Sequence, residues 1–211
     1  METYSASNFK RHCNALRKEH AAIATIHNTY GYPPFWSRGN HFEAMAKTII
    51  EQQVSLASAN SCVARLREHI PVFTAPDWLK LSDDVVRACG ITKQKTHYLR
   101  LLAEREIEEP NFFSSLERLS NEAAKEKLMA LKGIGHWSAN IFLLDALNRV
   151  DVYPDFDVAL INSVAREAFE GEKINNDQTR EYMAQFAPRR SIACLYFYHA
   201  YIVRKNISFI P

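Results

Sequence analysis

Residues 128–160, LMALKGIGHWSANIFLLDALNRVDVYPDFDVAL, gather the residue types in this chain best able to do chemistry. Asp155 and Asp157 follow Pro154 in a short extended piece that leads into a helix starting near Val158. A carboxylate fixed at that point can stabilise a developing positive charge, or orient and deprotonate a water. Asp157 directly precedes Val158-Ala159-Leu160 and can equally serve as a plain helix N-cap. Asp155 is the alternative carboxylate, with its side chain expected to point elsewhere. Upstream, Gly133-Ile134-Gly135 breaks one helix and opens another. The N–H groups from Gly133 to Ser138 then lie where a turn meets a helix N-terminus, a place that favours an anion such as a phosphate. An ordinary helical hairpin with a glycine turn is the plainer reading of the triplet alone.

These groups must be positioned by helices. Asn121–Leu131 predicts the first helix of the hairpin. Ser138 is a candidate N-cap for the second, whose apolar face reads Ile141, Phe142, Leu144 and Leu147. Towards the N-terminus, Phe9, Cys13, Leu16, Ile23 and Ile26 predict one helix over residues 8–28. Residues 30–39 form a loop rich in aromatics (Tyr30, Tyr32, Phe35, Trp36), which either packs on the core or walls a pocket. Helices follow at His41–Glu51, about 57–69, near 82–88 and at Lys93–Glu106, separated by loops at Pro71–Pro76 and Cys89–Thr92. A connector and short helix occupy 107–120. Beyond Asp157 come helices at 158–169, near 178–186 and at Ile192–Arg204, with a polar loop at 170–177. The last helix carries Tyr196, Tyr198 and Tyr201. No β pattern and no internal repeat occur, so the fold class is all-α.

Composition narrows the classes further. At 211 residues the chain can build one domain or two small lobes, and its net charge of +2 is only mildly basic. Cys13, Cys62, Cys89 and Cys194 show no C-x-x-C spacing and read as reduced, buried thiols. The N-terminus lacks a signal-peptide core, and the longest apolar run, Ile192 to Val203, is too short to span a bilayer. The expectation is a soluble protein.

The run KGIGHWSAN followed by VYPDFDVAL resembles the helix-hairpin-helix and Gly/Pro-Asp motif of the base-excision DNA glycosylase superfamily. Within it, the run is similar to the 3-methyladenine DNA glycosylase II branch. IIEQQVSLASANSCVARL resembles that family's ILxQQVSxxxA segment, and GITKQKTHYLRLLA its GLSxxKAxYLRxLA segment. The resemblance covers roughly residues 35–205. It implies a two-lobed helical core within a single domain, 1–211, with an N-terminal arm at about 1–34 and the helix-hairpin-helix at 121–148. The residues ahead of it are too few for the β lobe of bacterial relatives. Only Cys194 lies beyond Asp157, so the four-cysteine iron–sulfur loop of some members is not expected.

The resemblance also implies an activity: hydrolysis of the N-glycosidic bond of alkylated purines after the nucleotide is flipped out of the duplex. Asp157 takes the catalytic place. Trp137, Trp36, Tyr198 and Tyr153 become base-pocket residues. Gln53 becomes the wedge that fills the gap left by the extruded base. Gly133, Ile134, Gly135, His136, Ser138 and Lys93 become DNA contacts; Lys95 joins Lys93 as a candidate phosphate contact, with solvated lysines as the alternative. Members that also nick the strand carry a lysine where this chain has Trp137, so a monofunctional enzyme leaving an abasic site is implied. An aromatic there also suits a cationic purine. Tyr198 stands where the family commonly has Trp, and His136 where it often has Arg. No cofactor is required, although the backbone carbonyls of Met129, Leu131 and Ile134 would hold a monovalent cation, sodium or potassium. The implied partner is double-stranded DNA with alkylated bases, for a monomer in a bacterial cytoplasm or nucleoid or a eukaryotic nucleus, without membrane attachment. The alternatives are a glycosylase for deaminated or oxidised bases and a non-catalytic module that binds damaged DNA.

Overall fold

The computed structural model describes residues 2–39 and 41–207. The ends of the 1–211 domain reading, residue 1 and residues 208–211, lie outside the described residues. In chain order the helices are α1 (Phe9–Glu19), α2 (Ala21–Tyr30), α3 (His41–Glu51), α4 (Leu56–Arg67), α5 (Ala75–Lys80), α6 (Asp83–Ala88) and α7 (Lys93–Glu108). They continue with α8 (Phe112–Ser115), α9 (Asn121–Met129), α10 (His136–Asp145), α11 (Val158–Ala168), α12 (Asn176–Ala184) and α13 (Arg190–Lys205). Among the described residues there is no β-strand, only an isolated bridge between Thr3 and Arg149, so the all-α expectation is met. No helix among them is long and apolar enough to cross a membrane.

The chain divides into two compact units. One, the hairpin unit, runs from Arg38 to Ala146 and contains α3 to α10. Its centre is α10, where every residue from Ser138 to Leu144 is buried. A helix that is apolar nearly all round has no outward face and must sit inside. It packs on α3 and α9, while α7 packs on α3, α5 and α6. The other, terminal, unit joins residues 2–37 with residues 147–207. Here α13 packs on α11, α2, α1 and α12, around Leu16, Ile23, Phe186, Tyr196 and Phe197. The arm expected over 1–34 is thus two helices that build this unit.

Short polar residues set most helix starts. Ser55, Thr74, Ser82, Thr92, Ser120, Asp157 and Asn175 each accept a backbone N–H of the first turn of the helix they precede. Each such cap is worth about 1 kcal/mol. Three boundaries differ from the sequence reading. Residues 8–28 form two helices rather than one, because His20 is extended (φ −132°, ψ 115°) and caps both. The expected loop Pro71–Pro76 contains the start of α5: Thr74 caps it, and Pro76 sits within the first two helical positions, where no backbone N–H is needed. The second hairpin helix begins at His136, with Gly135 as N-cap instead of Ser138. All four cysteines are buried and outside any disulfide. Burial pushes the Cys13 thiol up to about 12 and that of Cys194 well above its ordinary value, so neither is a reactive thiolate.

Candidate active site

In the hairpin unit, α9 ends at Met129 and the chain turns through Leu131, whose carbonyl accepts the Ile134 N–H at 3.2 Å. Gly133 has φ +90°, a conformation that residues with a Cβ rarely adopt. Its absent side chain also makes room: a Cβ there would lie 2.3 Å from Cδ2 of Tyr98. The Tyr98 ring thus fits flat against the turn, and Ile134 is buried beside it. Gly135 offers no side chain to cap α10, and its carbonyl accepts the Ala139 N–H at 3.0 Å. The amides of His136, Trp137 and Ser138 precede it, on a helix whose start is exposed at Gly135 and His136. Substituting Gly133 by Ala should cost about 2 kcal/mol from the overpacked Tyr98 contact. Thermal melts check this, and Tyr98→Ala in the same chain should relieve the overpacking part of the loss.

The wedge candidate sits in the turn after α3. Gln53 is exposed, with φ +55°. Its neighbour Gln52 turns inward, and its Nε2 donates to the Gly133 carbonyl and to Ser138 Oγ, both at 2.9 Å. The buried Ser138 hydroxyl is therefore an acceptor inside the unit, which corrects its reading as a helix cap; only its backbone amide remains for a ligand. Lys95 is corrected as well. Its ammonium donates to the carbonyls of Ile50 (2.7 Å) and Gln52 (2.6 Å) instead of facing a phosphate. Lys93 remains exposed at the start of α7. Trp137 and Tyr198, in their separate units, are both half-buried.

In the terminal unit, the segment carrying Asp157 is pinned at several points. The Arg190 guanidinium grips Asp151 through two hydrogen bonds of 2.7 and 2.8 Å. Burial pushes the Asp151 carboxyl up, but the Arg190 hydrogen bonds and charge outweigh it and hold that carboxyl below its ordinary range. Ser191 Oγ accepts the Val152 N–H at 2.9 Å, and Asn176 Oδ1 accepts the Phe156 N–H at 2.7 Å. Between them, Tyr153 is buried, and its hydroxyl has no hydrogen-bond partner among the described residues. Burial, with Cys194 and Asp155 nearby, raises its pKa, so it stays a neutral donor.

The two carboxylates part company here. Asp155 is half-exposed and paired with Arg180 at 2.7 Å. Asp157 is buried, 8% exposed, and its Oδ1 accepts the Leu160 N–H at 2.8 Å at the mouth of α11. Side chains two apart on a regular strand share a face, so extended geometry alone would not separate them. Phe156 does: its φ of +62° breaks the alternation. Phe156 and Val158 are themselves 67% and 70% exposed, an apolar pair flanking the buried carboxylate. The aromatic loop is resolved towards packing. Phe35 lies edge-on to Tyr4 and Phe9, Tyr32 hydrogen-bonds Asn14, and Trp36 is buried against His199.

Neutral oxygens suit the cation that the resemblance implies, since backbone carbonyls can replace an ion's water shell. Met129 and Leu131 lie at the C-terminal end of α9, where the helix dipole favours positive charge. The donor set is therefore chemically compatible. Among the described residues no cluster of three or more His, Cys, Asp or Glu could hold a metal ion.

Comparison with known proteins decides the family. Residues 46–189 match the HhH-GPD superfamily base excision DNA repair protein model. The chain belongs to the HhH-GPD superfamily. Over 126 residues it is 32% identical to DNA-3-methyladenine glycosylase 1 of Schizosaccharomyces pombe, an alignment covering 57% of this chain and 55% of that protein. The chain spans about half the length of the first curated relatives it matches. A crystal structure of DNA-3-methyladenine glycosidase from Bacillus halodurans superposes with TM-score 0.72 at 25% identity, over 98% of this chain and 95% of that one. The S. pombe 3-methyladenine DNA glycosylase in complex with abasic DNA has a TM-score of 0.81 at 24% identity, over 95% and 100% of the two chains, which shows the shared HhH-GPD fold.

Three features of this HhH-GPD chain escaped the sequence reading. The bridge made by Gln52 was hidden because its neighbour drew the wedge role. Lys95 and Tyr98 are three apart on one helix, and that spacing was the available sign that they act on one face. Arg38 lies between Ser37 and Gly39 in a loop with nothing local to mark it, yet it is buried and bound to Glu51 at 2.8 Å.

Proposed function

We propose that this chain is a base-excision DNA glycosylase that hydrolyses the N-glycosidic bond of alkylated purines of the 3-methyladenine type. The observation that carries the reading is Asp157: a buried carboxylate fixed at a helix mouth, within a family match whose relatives are named for that activity.

Cleaving the bond develops an oxocarbenium-like sugar, and a fixed carboxylate in a water-poor site stabilises it. Asp157 supplies that charge and orients the attacking water. An alkylated purine carries positive charge and departs neutral, so a single carboxylate suffices without a dedicated acid. Trp137 offers a ring face to the cationic base, an interaction of about 0.5–2 kcal/mol. In the terminal unit Tyr198 and Tyr153 are the base-recognition residues, the Tyr153 hydroxyl donating to an acceptor edge of the base. Gly133, Ile134, Gly135, His136 and Ser138 offer backbone amides to phosphate, Lys93 adds charge, and Gln53 fills the gap in the stack. A monovalent cation on the Met129, Leu131 and Ile134 carbonyls would add positive charge on the phosphate side. With Trp137 in the place of a Schiff-base lysine, the enzyme is monofunctional. It acts on double-stranded DNA as a monomer, in nucleoid or nucleus according to its host.

Methylated duplex DNA tests this. The expected products are free 3-methyladenine, resolved chromatographically, and a strand that stays unbroken until alkali is added. Strand cleavage without alkali would refute the monofunctional assignment, and release of a deaminated or oxidised base instead would reassign the substrate.

A further inference from the structure

The groups around Gln53 are tied together more firmly than a surface turn requires. Gln53 is exposed and left-handed, at the end of a helix whose last carbonyls have no intrahelical donors. Lys95 donates to the carbonyl of Ile50, in the last turn of α3, and to that of Gln52 just past its end, at 2.7 and 2.6 Å. Burial pushes the Lys95 amine below the ordinary lysine range. The Gln52 side chain then reaches both edges of the hairpin turn, the Gly133 carbonyl and Ser138 Oγ. One turn beyond Lys95 on α7, Tyr98 lies against Gly133. All of these residues belong to the hairpin unit.

We propose that Gln52 and Lys95 are positioning residues that fix the left-handed Gln53 turn in register with the Gly133–Ser138 hairpin, so that wedge and phosphate grip meet DNA as one rigid device. The proposal rests on Gln53 being the wedge. Its physical content is registration. A wedge must enter the stack at a set distance from the phosphate being held, and a shift of about 1 Å in a supporting group is enough to spoil such a site. Lys95 fixes the backbone on which Gln53 is mounted; Gln52 fixes that backbone to the hairpin. Neither side chain needs to touch DNA.

A double-mutant cycle between Lys95→Met and Gln53→Ala, in the full chain, tests this. Single-turnover release of 3-methyladenine is measured from a fully paired duplex and from the same lesion in a single strand, where no gap needs filling. Lys95→Met should lower the paired-to-unpaired rate ratio at least tenfold, Lys95→Arg should restore most of it, and the double variant should be no slower on duplex than Gln53→Ala alone. Gln52→Ala, also checked for folding by thermal melt, should reproduce the Lys95→Met pattern, and it carries the test if Lys95→Met does not fold. Multiplying effects in the double variant, or equal slowing on paired and unpaired lesions, would overturn the proposal. A slow Gln53→Ala beside unaffected Lys95 and Gln52 variants would remove the registration role and leave the wedge standing. Wild-type rates for Gln53→Ala on duplex would remove both.

Discussion

Asp157→Asn should abolish most base release, lowering it between about 10²- and 10⁴-fold, the range for loss of a fixed catalytic carboxylate. The fold should survive the change. Asp157 Oδ1 caps α11 by accepting the Leu160 N–H at 2.8 Å, and the amide oxygen of Asn can take over that hydrogen bond. The melting temperature should therefore move little and DNA binding should persist. Asp155→Asn provides the contrast. It loses the ion pair with Arg180, which is half-exposed, so it should cost under about 1 kcal/mol. Its base release should remain within a few-fold of wild type. Rates of the two variants, measured side by side with their melts, separate chemistry from stability.

The largest effect on stability is expected at Arg38. Its side chain is 5% exposed, with Nη2 on Glu51 at 2.8 Å and Nη1 on Thr48 at 3.3 Å. Its backbone N–H reaches the Asp145 carbonyl at 2.8 Å, and Nε lies 3.7 Å from the Asp145 carboxylate. Burial works against its charge, yet Glu51 and Asp145 outweigh that and hold the guanidinium above its ordinary range. Arg38→Met would leave two carboxylates facing each other in a poorly solvated place. Removing one partner of a buried pair costs about 3–5 kcal/mol, and because Glu51 and Asp145 keep some exposure the lower end, about 3 kcal/mol, applies. For a chain of this size that is a fall of roughly 6–12 °C in melting temperature. Arg38→Lys should recover only part of it, since an ammonium cannot reproduce the fork that spans Glu51 and Asp145. Glu51 ends α3 just before the Gln53 turn, and Asp145 ends α10, so the same variant should also weaken binding to abasic DNA.

What the sequence made legible was the chemistry and its order along the chain. Gly-Ile-Gly marked the hairpin, because only glycine fits a left-handed turn with Tyr98 against it. The Asp157-Val158 junction marked a helix mouth, and apolar spacing placed most helices within a few residues. Contacts between distant segments stayed hidden. Nothing near His20 announces the break between α1 and α2, since no proline or glycine stands there. Ser138 has the residue type of a cap, but its hydroxyl is held by Gln52, which lies far away in sequence. Lys95 has the charge of a phosphate contact and is committed to carbonyls of another helix's end. For Ser138 and Lys95 a tertiary partner took the group away from the role its residue type suggested. Phe156 shows the reverse, a left-handed, exposed aromatic whose backbone conformation no local signal foretold.

The most direct measurement is single-turnover release of free base from methylated duplex DNA by wild type, Asp155→Asn and Asp157→Asn together, with DNA binding followed in parallel. Wild type and Asp155→Asn should release 3-methyladenine, and Asp157→Asn should lose that release with binding retained. Binding without release by the wild-type chain, or equal release by Asp157→Asn, would contradict this.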